Sequence, residues 1–199
     1  MSQLNNEVGF IGKISDDDLG QQYENGLIKE NVNYLYNKKK EPINTGSCLI
    51  LITPDSERTM CTFLGTAGKI NENDIEENVI KNSKITFLEG YLWDEGNPKK
   101  AFDKAIKLSN ITAMSLSDQF CVERHKKKFL ELVKNKLDIV FANEQEILSL
   151  IDAKSIDEVI DFSKQLNKDI VITRGEKGAV SIKGNKVIDF SAKKESKNN

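Results

Sequence analysis

From Asp74 to Thr173, short runs rich in β-branched residues alternate with stretches of helical periodicity. This alternation constrains the fold more than any other feature of the 199-residue chain. Asp74–Lys81 reads as helix and Ile85–Glu89 as strand; Pro98–Leu108 reads as helix with proline in its first turn, and Ile111–Leu116 as strand. Arg124–Lys134 is expected to be helix, Leu137–Phe141 strand, Glu144–Leu150 a short helix, Ile156–Leu166 helix and Ile170–Thr173 strand. Repeated units of this length imply an α/β architecture, a parallel sheet covered by helices on both faces. Ala179–Ile182 and Lys186–Phe190, joined around Gly184-Asn185, predict a closing hairpin.

The first third has a different texture. Val8-Gly9-Phe10-Ile11-Gly12 reads as a buried strand, and Ser15-Asp16-Asp17-Asp18 offers an N-cap and negative charge for a helix. That helix carries Leu19, Tyr23, Leu27 and Ile28 on one face and ends before Asn33. Asn33–Tyr36, Gly46–Thr53 and Arg58–Leu64 then read as strands, punctuated by Pro42, Asn44 and Pro54-Asp55. No helix interrupts them, so they predict an antiparallel β element. The polar segment Lys193–Asn199 is expected to be a disordered tail.

Charge and composition remove several functions. Lys plus Arg number 29 against 31 Asp plus Glu, so the net charge of −2 provides no global field for nucleic acid. The basic run Arg124–Lys128 lies among apolar residues at helical spacing and reads as the wet face of a helix. The longest apolar run, Cys48–Ile52, is strand-sized and far short of a membrane helix. Met1–Glu7 lacks the pattern of a secretory signal. Cys48, Cys61 and Cys121 have no metal-ligand spacing and suit a reducing cytoplasm.

In an open parallel sheet, ligands bind beyond the carboxyl ends of the strands, so candidate residues are sought in the turn after each strand. Asn143-Glu144-Gln145-Glu146 comes directly after the Leu137–Phe141 strand and Ala142. An amide and carboxylates there suit a hydrated Mg²⁺ or phosphate oxygens. Helix capping, with Asn143 as N-cap and Glu146 as its capping-box partner, accounts for the same spacing. Thr173-Arg174-Gly175-Glu176-Lys177-Gly178 suits either backbone approach to a phosphate or a tight turn. Arg58 is placed to reach an anionic group or to pair with Glu57 or Asp55. Trp93 reads as a ring-stacking platform or a partly buried core residue, and His125, the single histidine, as a surface residue.

In order, these segments resemble the PfkB carbohydrate kinases of the ribokinase-like superfamily, closest to the bacterial adenosine kinase-like sugar and nucleoside kinases. The resemblance runs from about Asn6 to Phe190. It rests on Val8–Lys13 with Asp17-Asp18-Leu19-Gly20, on Thr45-Gly46-Ser47-Cys48 with Thr53–Met60, and on Glu89–Asp94. Leu116-Ser117-Asp118, Phe141–Glu146 and Thr173–Gly178 complete the set. It implies a ribokinase-like, Rossmann-like three-layer parallel sheet with a small antiparallel lid at about residues 33–65, within a partial kinase domain over residues 1–192. It also implies transfer of the ATP γ-phosphoryl group to a sugar or nucleoside hydroxyl. Asn143 and Glu146 match the family's Asn-x-x-Glu motif, with Glu146 acting through water on Mg²⁺. Thr173 and Gly175 fall where the family contacts nucleotide phosphates, and Arg58 and Gly46 fall in the lid. A small-molecule acceptor, a cytoplasmic setting and a homodimer through the lid belong to the same expectation, with no nucleic-acid or membrane partner.

The family's Gly-Ala-Gly-Asp segment, which carries the catalytic base and the anion hole, has no counterpart after Phe190, and the amino-terminal strands with the Gly-Gly substrate motif have none before Val8. The expectation is therefore a domain truncated at both ends, with no catalytic base among these residues and no turnover by this polypeptide alone. A non-catalytic nucleotide- or sugar-binding protein and a structural remnant are the competing readings.

Overall fold

The computed structural model describes residues 1–94 and 97–192; the expected disordered tail at 193–199 lies outside the described residues. The described residues form two compact units, residues 1–76 with 97–101 and residues 77–94 with 102–192.

The first unit begins with β1 (Val8–Phe10), α1 (Asp18–Lys29) and β2 (Val32–Tyr34). β2 pairs parallel with β1, Val8 opposite Val32 and Phe10 opposite Tyr34. This corrects the expectation that the strand predicted at Asn33–Tyr36 joins the antiparallel element: its partner precedes α1, so the three elements make a small βαβ unit. The Phe10 ring lies 5.7 Å from Tyr23 and 6.4 Å from Tyr34, and Tyr34 Oη donates to the Gly12 carbonyl at 2.8 Å. Asp17 caps α1, accepting from the Gly20 N–H at 2.8 Å and, with its other oxygen, from the Thr45 N–H at 2.8 Å. These two backbone donors hold the Asp17 carboxyl below the usual aspartate range. The helix is seated through Gly20, where a Cβ would meet the Ser15 carbonyl oxygen at 2.0 Å. The apolar face read from the sequence stays largely in water: Leu19, Tyr23 and Ile28 are 45–62% exposed.

β3 (Thr45–Ile52) and β4 (Arg58–Gly65) form an antiparallel hairpin in which Leu49 faces Cys61, Ile50 faces Met60 and Ile52 faces Arg58. Gly46 leaves no room for a side chain, since a Cβ there would sit 2.5 Å from the Leu64 carbonyl oxygen. Lys13 is buried between Glu41, at 3.6 Å, and Asp74, at 3.7 Å, tying the segments after β1 and β2 to the end of the unit.

The second unit holds α2 (Glu77–Asn82), β5 (Thr86–Glu89), the end of α3 (Pro98–Leu108), β6 (Thr112–Ser115) and α4 (Gln119–Asn135). It continues through β7 (Ile139–Asn143), α5 (Glu144–Ile151), α6 (Ile156–Leu166), β8 (Asp169–Thr173), β9 (Ala179–Lys183) and β10 (Lys186–Phe190). The strands make one six-stranded sheet in the order β10-β9-β8-β7-β6-β5. β5 to β8 run parallel, and β9 and β10 are antiparallel, as the terminal hairpin predicts. Alternation along the strands sends Val140, Ala142, Ile170, Ile172, Val180 and Ile182 into a core shared with Phe129, Val133, Ile147, Leu150 and Val159 of the helices. Each Val, Leu, Ile or Phe among them, fully removed from water, contributes about 1.5–3 kcal/mol.

Phe102 of α3, Phe129 of α4, Ile147 of α5 and Val159 of α6 share one core with one face of the sheet. On the opposite face Phe87 is 50% and Phe141 36% exposed, their rings 5.7 Å apart. Trp93 belongs to the core as a partly buried residue, edge-on to Phe102 at 5.3 Å and to Phe129 at 5.9 Å. His125 is half-buried, 5.9 Å from the Phe129 ring, at a kink in α4.

Candidate functional site

The carboxyl ends of β5 to β8 bring together residues that are distant in sequence. Asn143 ends β7, Thr173 ends β8, and the two are direct partners in the parallel ladder. A period-two strand sends them to the same face at the same level. The sequence places both after strands; the register between strands 30 residues apart makes them neighbours.

Asn143 is the N-cap of α5. Its Oδ1 accepts from the Glu146 N–H at 2.8 Å, while Glu146 Oε2 accepts from the Asn143 N–H at 3.0 Å and Oε1 accepts from Asn143 Nδ2 at 2.6 Å. The capping box read from the sequence is therefore fully formed. Capping and metal chemistry do not exclude each other, because each carboxylate oxygen accepts one hydrogen bond and keeps a second lone pair. Glu146 is 4% exposed, and burial raises its carboxyl above the usual range, against the lowering effect of the Asn143 hydrogen bonds. A buried carboxylate pushed upward in pKa is a group that gains from a nearby cation.

Two further acidic groups bear on it. Glu89 ends β5, and burial raises its carboxyl too, with Ser117 Oγ at 3.4 Å. Asp118, past the end of β6, caps α4 by accepting from the Cys121 N–H at 2.6 Å. Between them Ser117 takes the left-handed φ of +75°, and its Oγ accepts from the Tyr91 N–H at 3.0 Å. Burial first, and then the charges of Asp118 and Glu146, raise the Tyr91 phenol, a sign that these carboxylates share one field. Sequence reasoning assigned Glu89, Ser117 and Asp118 no chemical part. The available signal was positional: each lies at the end of a parallel strand or in the turn just beyond it.

Among the described residues no three His, Cys, Asp or Glu side chains form a ready cage for a metal. The oxygen-only donors nevertheless fit Mg²⁺, which keeps several waters and is held through one or two carboxylates and substrate phosphates.

The turn after β8 is closed by its backbone: the Arg174 N–H donates to the Gly178 carbonyl at 2.8 Å, and the Gly178 N–H to the Gly175 carbonyl at 3.0 Å. Gly175 has φ +55° and open space where a Cβ would stand. Thr173 and Gly175 are exposed. Arg174, between them, places Nε 3.2 Å from Glu144 Oε2.

Arg58 and Gly46 lie in the first unit, on β4 and β3. Arg58 is exposed, and among the described residues neither proposed partner holds it: Asp55 instead accepts from Thr53 Oγ1 and the Glu57 N–H, which lowers its carboxyl.

Comparison with known proteins agrees with this architecture. The pfkB family carbohydrate kinase profile matches residues 1–197. A 5-dehydro-2-deoxygluconokinase of Clostridium perfringens is 27% identical over 91% of this chain and 58% of its own length. The structure of adenosine kinase from Sinorhizobium meliloti superposes with a TM-score of 0.93 at 33% identity, covering 98% of this chain and 62% of that one. A putative ribokinase II from E. coli, in complex with ATP and Mg²⁺, shares the fold with a TM-score of 0.86 at 16% identity, over 98% of this chain and 65% of that one. The chain thus spans about three fifths of the length of the relatives it matches. On the profile match and the ordered strand ends together, this chain belongs to the pfkB family of carbohydrate kinases.

Proposed function

We propose that this chain supplies the nucleotide-phosphate and metal side of a site that transfers the γ-phosphoryl group of ATP to a hydroxyl of a sugar or nucleoside. The observation that carries this reading is the cross-strand pairing of Asn143 with Thr173, with Glu146 buried beside them. Phosphoryl transfer asks a protein for positioning and charge neutralisation more than covalent chemistry. Asn143 and Glu146 would hold Mg²⁺, Glu146 through water, and a bound Mg²⁺ would neutralise charge on the phosphates. Thr173 and the open backbone at Gly175 would orient the phosphates.

In this reading the hairpin is the lid, with Arg58 and Gly46 on the acceptor side. Its exposed Leu49, Ile50, Leu51 and Ile52 support a homodimer formed through it. The free cysteines, with Cys48 and Cys61 exposed, are in keeping with a cytoplasmic setting. No helix of the described residues is long and apolar enough to cross a membrane.

Transfer breaks the bond between the γ-phosphorus and the bridging oxygen, forms one to the acceptor oxygen, and needs a base within hydrogen-bond reach of the acceptor proton. The 199 residues hold no counterpart of the family's Gly-Ala-Gly-Asp base, so the polypeptide by itself is expected to bind Mg·ATP without turning it over. Calorimetry with ATP, with and without Mg²⁺, on the unaltered chain and on Asn143→Ala and Glu146→Ala tests the binding. Metal-dependent binding lost in both variants supports the reading, and no binding by the unaltered chain overturns it. Phosphorylation of adenosine or a simple sugar by the pure chain would overturn the lack of turnover and leave the site assignment standing.

A further inference from the structure

Just beyond the Asn143–Thr173 pair, where β7 passes into α5 and β8 into its turn, lies a second pair that no role so far accounts for. Glu144 opens α5 and Arg174 opens the turn after β8, and their side chains meet at 3.2 Å. Arg174 is 15% exposed and Glu144 26%, so this ion pair is sheltered. Each group has one weaker partner: Asp189 lies 3.9 Å from Arg174, and Lys177 lies 4.0 Å from Glu144. The pair spans the seam between the two halves of the candidate site, with Asn143 and Glu146 on the α5 side and Thr173 and Gly175 on the turn side.

We propose that Glu144 and Arg174 form a clasp that fixes the spacing between the metal-side and phosphate-side residues. Both are positioning residues, not contacts of the reacting atoms. The inference rests on the Mg·ATP reading of the site and deepens it. A charge-assisted pair with a planar guanidinium constrains direction as well as distance, which a point charge would not. The turn's own backbone bonds close it on itself but do not tie it to α5, and Gly175, with φ +55° and open space where a Cβ would stand, adds no packing there.

The clasp and plain electrostatics predict opposite signs for one substitution. ATP is a polyanion, so if Glu144 acted only through its charge, Glu144→Gln would tighten nucleotide binding. If Glu144 holds the turn in place, Glu144→Gln weakens it. The experiment is a double-mutant cycle on the full chain with Glu144→Gln, Arg174→Gln and the combined variant. It is read by calorimetric Kd for ATP with and without Mg²⁺, with thermal unfolding followed in parallel.

Each single variant is expected to lose about tenfold in Mg·ATP affinity, and the double no more than about tenfold in total, because the two act as one device. Affinity for metal-free ATP is expected to change less, since it does not need both halves aligned. Glu144→Asp keeps the charge on the same helical turn and shortens its reach; it is expected to bind several-fold more weakly and guards against a folding artefact in the other variants. Wild-type or tighter binding by Glu144→Gln, wild-type binding by Glu144→Asp, or additive losses in the double variant would each overturn the clasp while leaving the Mg·ATP reading intact. No Mg·ATP binding by the unaltered chain removes both.

Discussion

The β3–β4 hairpin and the six-stranded sheet are built from similar residues and meet opposite fates. Leu49, Ile50, Leu51 and Ile52 are 49–70% exposed, whereas Ile170 and Ile172 of β8 are fully buried. Composition does not separate them; the number of neighbours does. A two-stranded ribbon has two faces and two edges to cover, and its own partner covers neither face. β8 has a strand on each side and a helical layer on one face, so its alternate residues leave water completely. Apolar sequence is thus evidence of a surface that needs covering, and topology decides what is left uncovered.

The largest effect that would test this contrast is in the sheet. Ile172→Ala should cost about 2–4 kcal/mol of unfolding free energy in a urea titration, because the site cannot collapse around the lost atoms. A loss near zero would mean that the sheet is no better packed than the ribbon.

Next comes the strand end. Asn143→Ala removes an N-cap and should cost about 1 kcal/mol, measured the same way. Wild-type stability would show that the capping box contributes nothing.

A third prediction sets two capping carboxylates against each other. Burial raises the Glu146 carboxyl, so the folded state binds its proton more tightly than the unfolded state does. Stability from this group is therefore greatest below the ordinary glutamate value and falls as pH rises through the raised one. Asp17 is shifted the other way, so its contribution is present above the ordinary aspartate value and is lost as pH falls through the lowered one. Urea titrations across a pH series should show Glu146→Gln removing a loss of stability toward neutral pH, and Asp17→Asn removing a gain. The same slope change in both variants would erase the distinction.

The smallest expected effect returns to the hairpin. Leu51→Thr should leave stability within about 0.5 kcal/mol. Sedimentation should show it weakening self-association; an unchanged monomer–dimer balance would count against a dimer through the ribbon.

Much of the second unit is legible in the sequence because period and punctuation agree there. Pro98–Leu108 and Ile156–Leu166 are read with the bounds the structure shows, since proline starts one helix and Ser155 caps the other. The strands of the sheet are located to within two residues at each end, a spread that also covers the Leu137–Phe141 reading of β7. Pairing is less legible. The segment after α1 looked like the start of an antiparallel block because strands come after it, but its partner comes before the helix, and nothing local records that. The α1 stripe is equally deceptive: Leu19, Tyr23 and Ile28 mark an apolar face, while the contact is made through Gly20, whose signal is the absence of a side chain. At the site the sequence showed Asn143, Glu146 and Thr173 as separate strand-end residues. It did not show that two of them share a rung, nor that Glu144 and Arg174 meet side chain to side chain just beyond it.

That shared rung ties the site to the protein's folding. Side chains alternate along β8, so sliding it by one position against β7 would bring Ile172 opposite Asn143 and turn Thr173 toward the oily side of the sheet. The burial of Ile170 and Ile172 forbids the slip. The hydrophobic core therefore proofreads the candidate site: a chain that folds with its isoleucines dry has already set the threonine beside the asparagine.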